Sequence, residues 1–297
     1  MNKMVKPVQP PAPTQSGQYA MANPDAYPMA TPGLDLLQGR GNRGKTFFSL
    51  LALENALTKS VSFIVGDADP NNRTLARIIK LRPEAIALYQ PRNRTPEERQ
   101  RFFTIVAEES KTKRIWIDPG AGDRTMTEMG AGTEAARKAV ASKWGKVDEF
   151  GVFDGVDLRV WFMLGTSEED VIQLGELLDG PLGRKQLILV HNEGVVTNSS
   201  LSENAFAPVV DTPAYQEALK RGAIVYRLPA LDHAISELLL ASAVPFMAAV
   251  NATPVGRLTQ EKEEWRPLYP VLRSKLLKFL QAFDISIERD GVASLLP

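Results

Sequence analysis

The octapeptide Gly39-Arg40-Gly41-Asn42-Arg43-Gly44-Lys45-Thr46 constrains the fold of this chain more than any other stretch. It fits the pattern G-x-x-x-x-G-K-[ST] and stands between a short apolar run, residues 34–38, and a helix-like stretch, FFSLLALENAL. Glycines let a backbone turn successive N–H groups toward one point, and a following helix N-terminus adds positive potential there. A lysine can then reach the outermost phosphates of a nucleotide while a threonine hydroxyl ligates Mg²⁺. The expected cradle is therefore Gly39, Gly41, Asn42, Arg43, Gly44, Lys45, Thr46 and Phe47, with Lys45 as the phosphate cation and Thr46 as a metal ligand. Such a loop needs a strand before it and a helix after it, which commits the chain to an α/β architecture.

The rest of the sequence keeps that rhythm. Apolar runs predict strands over 34–38, 61–67, 114–118, 158–164, 186–191 and 223–228, and VSFIV, RVWFML, QLILV and AIVYRL carry the β-branched and aromatic residues of strands buried on both faces. Helices are predicted over 46–57, 72–81, 96–109, 168–178, 213–221 and 231–244. Pro96 followed by Glu97 and Glu98 suits a first helical turn. Strands alternating with helices imply a mostly parallel, twisted sheet with helices on both faces, the fold class of the P-loop NTPases. Residues 1–33 hold seven of the 21 prolines among Gln, Ser, Thr and Ala, and read as a flexible arm. The phosphate-loop domain is expected over 34–250, with a C-terminal helical extension over 251–297.

Composition removes other chemistries. With no cysteine and only His191 and His233, thiolate and histidine metal centres have too few ligands. Lys plus Arg balances Asp plus Glu at 35 each, so contact with nucleic acid or anionic lipid requires a local patch. The apolar stretch 238–250 is broken by Pro245 and too short to span a bilayer, and the N-terminus lacks a secretory core, so a cytoplasmic protein is expected.

Two carboxylate sites are expected at strand ends near the phosphates, where open α/β sheets bind ligands. One strand ends in Asp67-Ala68-Asp69-Pro70-Asn71-Asn72, and another in Asp118-Pro119-Gly120. Asp118 could hold Mg²⁺ through water, and Asp69, with Asp67 as the alternate, could orient an attacking water.

These residues together resemble the deviant-Walker-A ATPases of the ParA and MinD type, relatives of nitrogenase iron protein. The resemblance runs through Arg40 to Thr46, then Asp67-Ala68-Asp69-Pro70-Asn71, then Asp118-Pro119-Gly120, and extends over about residues 34–244. It implies that Asn192, ending QLILVHN, meets the base, that Pro229 in the loop of YRLPALDHAISELL lies beside adenine, and that ATP with Mg²⁺ is bound. It also implies a nucleotide-dependent homodimer acting in plasmid partition, conjugative transfer or positioning of cargo, with a partner protein that stimulates hydrolysis. The family's signature lysine, which reaches into the partner's site, is matched by Arg40, whose planar fork suits phosphate but whose reach differs. Asn42 replaces a glycine, and residues 121–157 form a long Gly-rich stretch that could face a partner.

Arg73, Arg77, Lys80, Arg82, Arg92, Arg94, Arg99 and Arg101, against Glu84, Glu97 and Glu98, make the best local candidate for nonspecific DNA contact, with a solvated helix face as the alternative. The segment 271–283, VLRSKLLKFLQAF, has helical period; it could lie on a membrane, but fourteen residues follow it and packing onto the core is favoured. The absence of an N-K-x-D tetrapeptide disfavours a guanine-specific enzyme. Two alternatives to an ATPase switch remain: an ATP-binding adaptor with negligible hydrolysis, and a small-molecule kinase whose acceptor pocket is formed by 121–157.

Overall fold

The computed structural model describes residues 30–59, 61, 64–69, 75–76, 88–89, 96–119, 155–195, 205–242, 246, 250 and 269–297. Among them, seven strands form one sheet: β1 (Gly33–Gln38), β2 (Ile64–Ala68), β3 (Leu88–Tyr89), β4 (Arg114–Pro119), β5 (Leu158–Leu164), β6 (Gln186–Asn192) and β7 (Ile224–Leu228). The order is β3-β2-β4-β1-β5-β6-β7, and every neighbouring pair is parallel. The chain leaves β1 toward β2 and β4 on one side and later fills β5 to β7 on the other. The carboxyl end of β1 therefore opens at the switch point where parallel sheets leave a crevice.

The helices are α1 (Lys45–Thr58), α2 (Pro96–Glu109), α3 (Glu168–Asp179), α4 (Ala207–Val210), α5 (Pro213–Lys220), α6 (His233–Ser242) and α7 (Tyr269–Arg289). Strand residues alternate between two hydrophobic cores, as the pleat requires. Leu37, Trp116, Trp161, Met163, Ile188 and Val190 join α1, α6 and α7 on one face. Leu34, Leu36, Ile115, Ile117, Val160, Phe162, Leu187 and Leu189 join α2, α3 and α5 on the other. Burial on both faces explains why these strands read as unbroken apolar runs.

Strand and helix bounds agree with the sequence reading to within a few residues; β2 runs Ile64–Ala68 and α6 His233–Ser242. The two-residue β3 and the one-turn α4 were not expected, being too short for a periodic signal. The predicted helix over 72–81 lies outside the described residues except for 75–76, as do 1–29 of the arm, 120–154 and 251–268. The side chains of the proposed basic DNA patch, Arg73 to Arg101, are also outside them.

Helix α7 settles one alternative. Its Leu276, Phe279, Phe283 and Ile287 are buried in the core shared with α1, and Phe47 of α1 packs against Phe279 and Phe246 at ring-centre distances of 5.6 and 5.3 Å. The apolar face that would have met lipid is thus covered, and the membrane-surface reading of 271–283 is corrected. The chain end is tied down as well, with Asn55 Nδ2 donating to Pro297 O at 2.7 Å. No described helix is long and apolar enough to cross a membrane.

Candidate functional site

The 39–46 loop leaves β1 and enters α1 directly, so its position is set by the centre of the sheet. Trp116 Nε1 donates to Ser49 Oγ at 3.0 Å, which anchors α1 over β4, and Phe48 N closes the first turn on Gly44 O at 2.8 Å. Three loop residues have positive φ: Gly39 at 117°, Asn42 at 59° and Gly44 at 84°. Asn42 occupies the left-handed region that asparagine tolerates, so its replacement of a glycine is accommodated. At Gly44 the constraint is also steric, since a Cβ there would lie 2.5 Å from Asn192 Nδ2.

Lys45 is buried, and its ammonium donates to Gly39 O at 2.8 Å and Arg40 O at 2.9 Å. Burial lowers its pKa, while the nearby carboxylates of Asp118 and Asp69 push it back up. Asp118 is buried at the end of β4, directly beside Asp67 in register on β2. Burial pushes its carboxyl up to about 7; the Thr46 hydroxyl bound to it and Lys45 oppose this, and Asp67 and Asp69 reinforce it. The structure therefore gathers Lys45, Thr46, Asp67, Asp69 and Asp118 at the carboxyl ends of β1, β2 and β4.

Asp67 holds the acidic turn together: one carboxylate oxygen accepts from Asp69 N at 3.1 Å and the other from Ala76 N at 2.8 Å. Residues 70–72 of that turn and 120–122 after Asp118 lie outside the described residues. Asn192, ending β6, donates to Arg43 O at 2.7 Å and accepts from Gly194 N at 3.0 Å. Asn192 thus buttresses the loop from the neighbouring strand, a role that its sequence position did not disclose. Pro229 follows β7, which pairs with β6 at Asn192 and Leu228. The ring of Phe47 belongs to the aromatic core, which leaves its main-chain N–H as the group it can offer to the cradle.

The two loop arginines turn toward α3. Arg40 donates to Ser167 Oγ at 3.0 Å and to the exposed Glu169 at 3.1 Å. Arg43 donates to Asp170 and Ser167, each at 2.9 Å. Ser167, Glu169 and Asp170 were missed as loop contacts. Their spacing does announce a helix start, serine followed three residues later by an acid, but nothing in it names the loop as partner. His191, also at the end of β6, is buried against Phe206 and hydrogen-bonded to Tyr215 Oη at 2.9 Å, and burial lowers its pKa to about 4. It has a packing role.

No protein-family model matches the chain, and no curated protein matches it in sequence. Among solved structures, the MinC:MinD cell division protein complex of Aquifex aeolicus is similar at 12% identity with a TM-score of 0.43, covering 84% of this chain and 96% of that one. The fold is α/β, an all-parallel sheet flanked by helices.

Proposed function

We propose that this chain is a Mg²⁺-dependent P-loop ATPase that binds ATP in the 39–47 loop and uses slow hydrolysis as a switch. The observation that carries the reading is the bond between the Thr46 hydroxyl and the buried Asp118 carboxylate, next to Lys45. Hydroxyl and carboxylate are hard oxygen donors of the kind Mg²⁺ takes. Among the described residues no group of three or more His, Asp or Glu is placed to cage a metal, so such an ion would need phosphate oxygens and water to complete its shell. When bound, Mg²⁺ supplies charge neutralisation at the β- and γ-phosphate oxygens.

The chain's own residues divide the remaining work. Lys45 exchanges two neutral carbonyl acceptors for anionic phosphate oxygens, a stronger contact with charge on both partners. Asp118 stands poised near neutrality and would ionise beside a cation. Asp69 is the candidate to orient water, with Asp67, which accepts from two backbone amides of its own turn, as the alternate. Asn192 carries a second amide hydrogen with which to meet a base edge, and Pro229 directly follows Leu228, the neighbour of Asn192 in the sheet. Arg40 lies at the loop's rim in an exposed pair with Glu169 and could exchange it cheaply for a partner's phosphates. The resemblance to ParA and MinD type proteins extends the reading to a nucleotide-dependent homodimer that positions DNA or protein cargo in the cytoplasm, with a partner protein stimulating hydrolysis.

The test is phosphate release from ATP across a Mg²⁺ titration, for the wild type, Thr46→Ala and Asp118→Asn. Slow Mg²⁺-dependent turnover that drops by about a hundredfold in both variants is expected. Turnover that ignores Mg²⁺, or survives in Asp118→Asn, contradicts the proposal; tight binding without turnover would leave a nucleotide-regulated adaptor.

A further inference from the structure

We infer that Arg43, although part of the glycine loop, is a positioning residue that shapes the cradle through Asp170 rather than a phosphate ligand. The inference rests on the reading of the loop as a triphosphate cradle. Its basis is the way residue 43 is held at both ends. The guanidinium forks onto Asp170, with Nε donating to Oδ1 at 2.9 Å and Nη2 lying 2.9 Å from Oδ2. The Asp170 side chain has no exposure, and that of Arg43 is only 18% exposed. Asp170 Oδ2 also accepts from Ser167 Oγ at 2.6 Å and from Ser167 N at 3.3 Å. A carboxylate supplied with so many donors is a fixed anchor, and a planar fork is the cation that fits it.

The space around the pair is built for it. A Cβ at Gly165 would lie 2.6 Å from Arg43 Nε, 2.7 Å from its Cζ and 2.7 Å from Asp170 Oδ2. Only a glycine at the end of β5 lets the guanidinium and carboxylate lie this close to the strand. On the main-chain side, Asn192 Nδ2 holds the Arg43 carbonyl at 2.7 Å. A trans peptide points its C=O and N–H in opposite directions, so fixing that carbonyl turns the Gly44 N–H away from Asn192. One loop peptide is thus fixed from α3 and from β6 at once, before any phosphate arrives. Ordering that is already complete does not weaken binding later.

Four variants and two readouts test this. Arg43→Gln, Arg43→Lys, Asp170→Asn and the double variant Arg43→Gln with Asp170→Asn are compared for MgATP affinity, and their nucleotide-free forms for hydrogen exchange at loop amides 41–46. Each single variant is expected to weaken MgATP binding about tenfold and to speed exchange in the loop while leaving β1 and β5 protected. The double variant is expected to be no worse than the worse single one. Lysine cannot fork, so Arg43→Lys should behave as Arg43→Gln does. Full affinity in Arg43→Lys, or unchanged or tighter binding in Asp170→Asn, would make Arg43 a direct phosphate cation and overturn the inference; additive losses in the double variant would also overturn it. Lys45→Ala separates the two claims. If it binds MgATP as the wild type does, the cradle reading fails, whereas the exchange readout still decides whether Arg43 and Asp170 shape the loop.

Discussion

The two ends of the same parallel sheet bury charge in opposite ways. At the amino end, Arg114 meets Asp35 through two hydrogen bonds of 2.6 and 2.7 Å and Asp157 through a third of 2.9 Å, while the Trp161 indole donates to Asp35 at 2.9 Å. Buried ions there are matched across β1, β4 and β5. At the carboxyl end, the Lys45 ammonium rests on neutral carbonyls and the Asp118 carboxylate on a hydroxyl, with Asp67 in register beside it. Burial prevails at Lys45, pulling it down, and at Asp118, pushing it up, whereas at Arg114 burial is outweighed by the carboxylates of Asp35 and Asp157, which raise the pKa. One end uses its charges to hold strands together, and the other leaves them less compensated, as the proposed charged ligand requires.

The largest expected effect breaks that contrast most directly. Arg114→Ala strands buried Asp35 and should lower unfolding stability by about 3–5 kcal/mol in denaturant titration. Lys45→Ala should lower it by less, because it removes a desolvated cation held by two carbonyls rather than one partner of a forked ion pair. Equal losses at the two ends would erase the distinction.

The second effect is a pH dependence. Asp118 takes up its proton more readily folded than unfolded between its ordinary 3.8 and about 7, so it lowers stability as pH rises through that window, by at most about 1.4 kcal/mol per unit. His191, pulled from 6.5 to about 4, acts oppositely and raises stability as pH rises between those values. Asp118→Asn should therefore show a steeper climb in stability from pH 4 to 6.5 than the wild type and exceed it above pH 7. Parallel curves would remove Asp118 as an uncompensated acid.

Smaller still, Gly44→Ala forces a side chain into positive φ and against Asn192, at a cost of about 1–3 kcal/mol. Pairing it with Asn192→Ala should recover the steric part only. Glu169→Gln, at the exposed rim pair with Arg40, should not move the thermal midpoint measurably.

Much of the carboxyl end was legible in the sequence. The glycine spacing, the Lys45-Thr46 pair and the strand-ending acids Asp67 and Asp118 are local signals, since a loop's chemistry is written in consecutive residues. The β-α rhythm was legible because strands buried on both faces have no polar alternation to blur them. The amino end and the α3 clamp were not legible. Asp35 and Arg114 lie 79 positions apart, and Arg43 and Asp170 lie 127 apart, so their pairing follows only from the strand order. Asp35 is a lone charge in the apolar run 34–38, and its partners Arg114 on β4 and Trp161 on β5 account for it. The resemblance implied Asn192 as a base contact; its place at the end of β6 also puts it under the Arg43 carbonyl.

Titration calorimetry of ATP with Mg²⁺ against the wild type and Lys45→Ala tests the central claim most directly. Saturable, Mg²⁺-dependent uptake by the wild type that is lost in a folded Lys45→Ala protein is the predicted result. No uptake by the wild type, or equal uptake by both, would contradict the account.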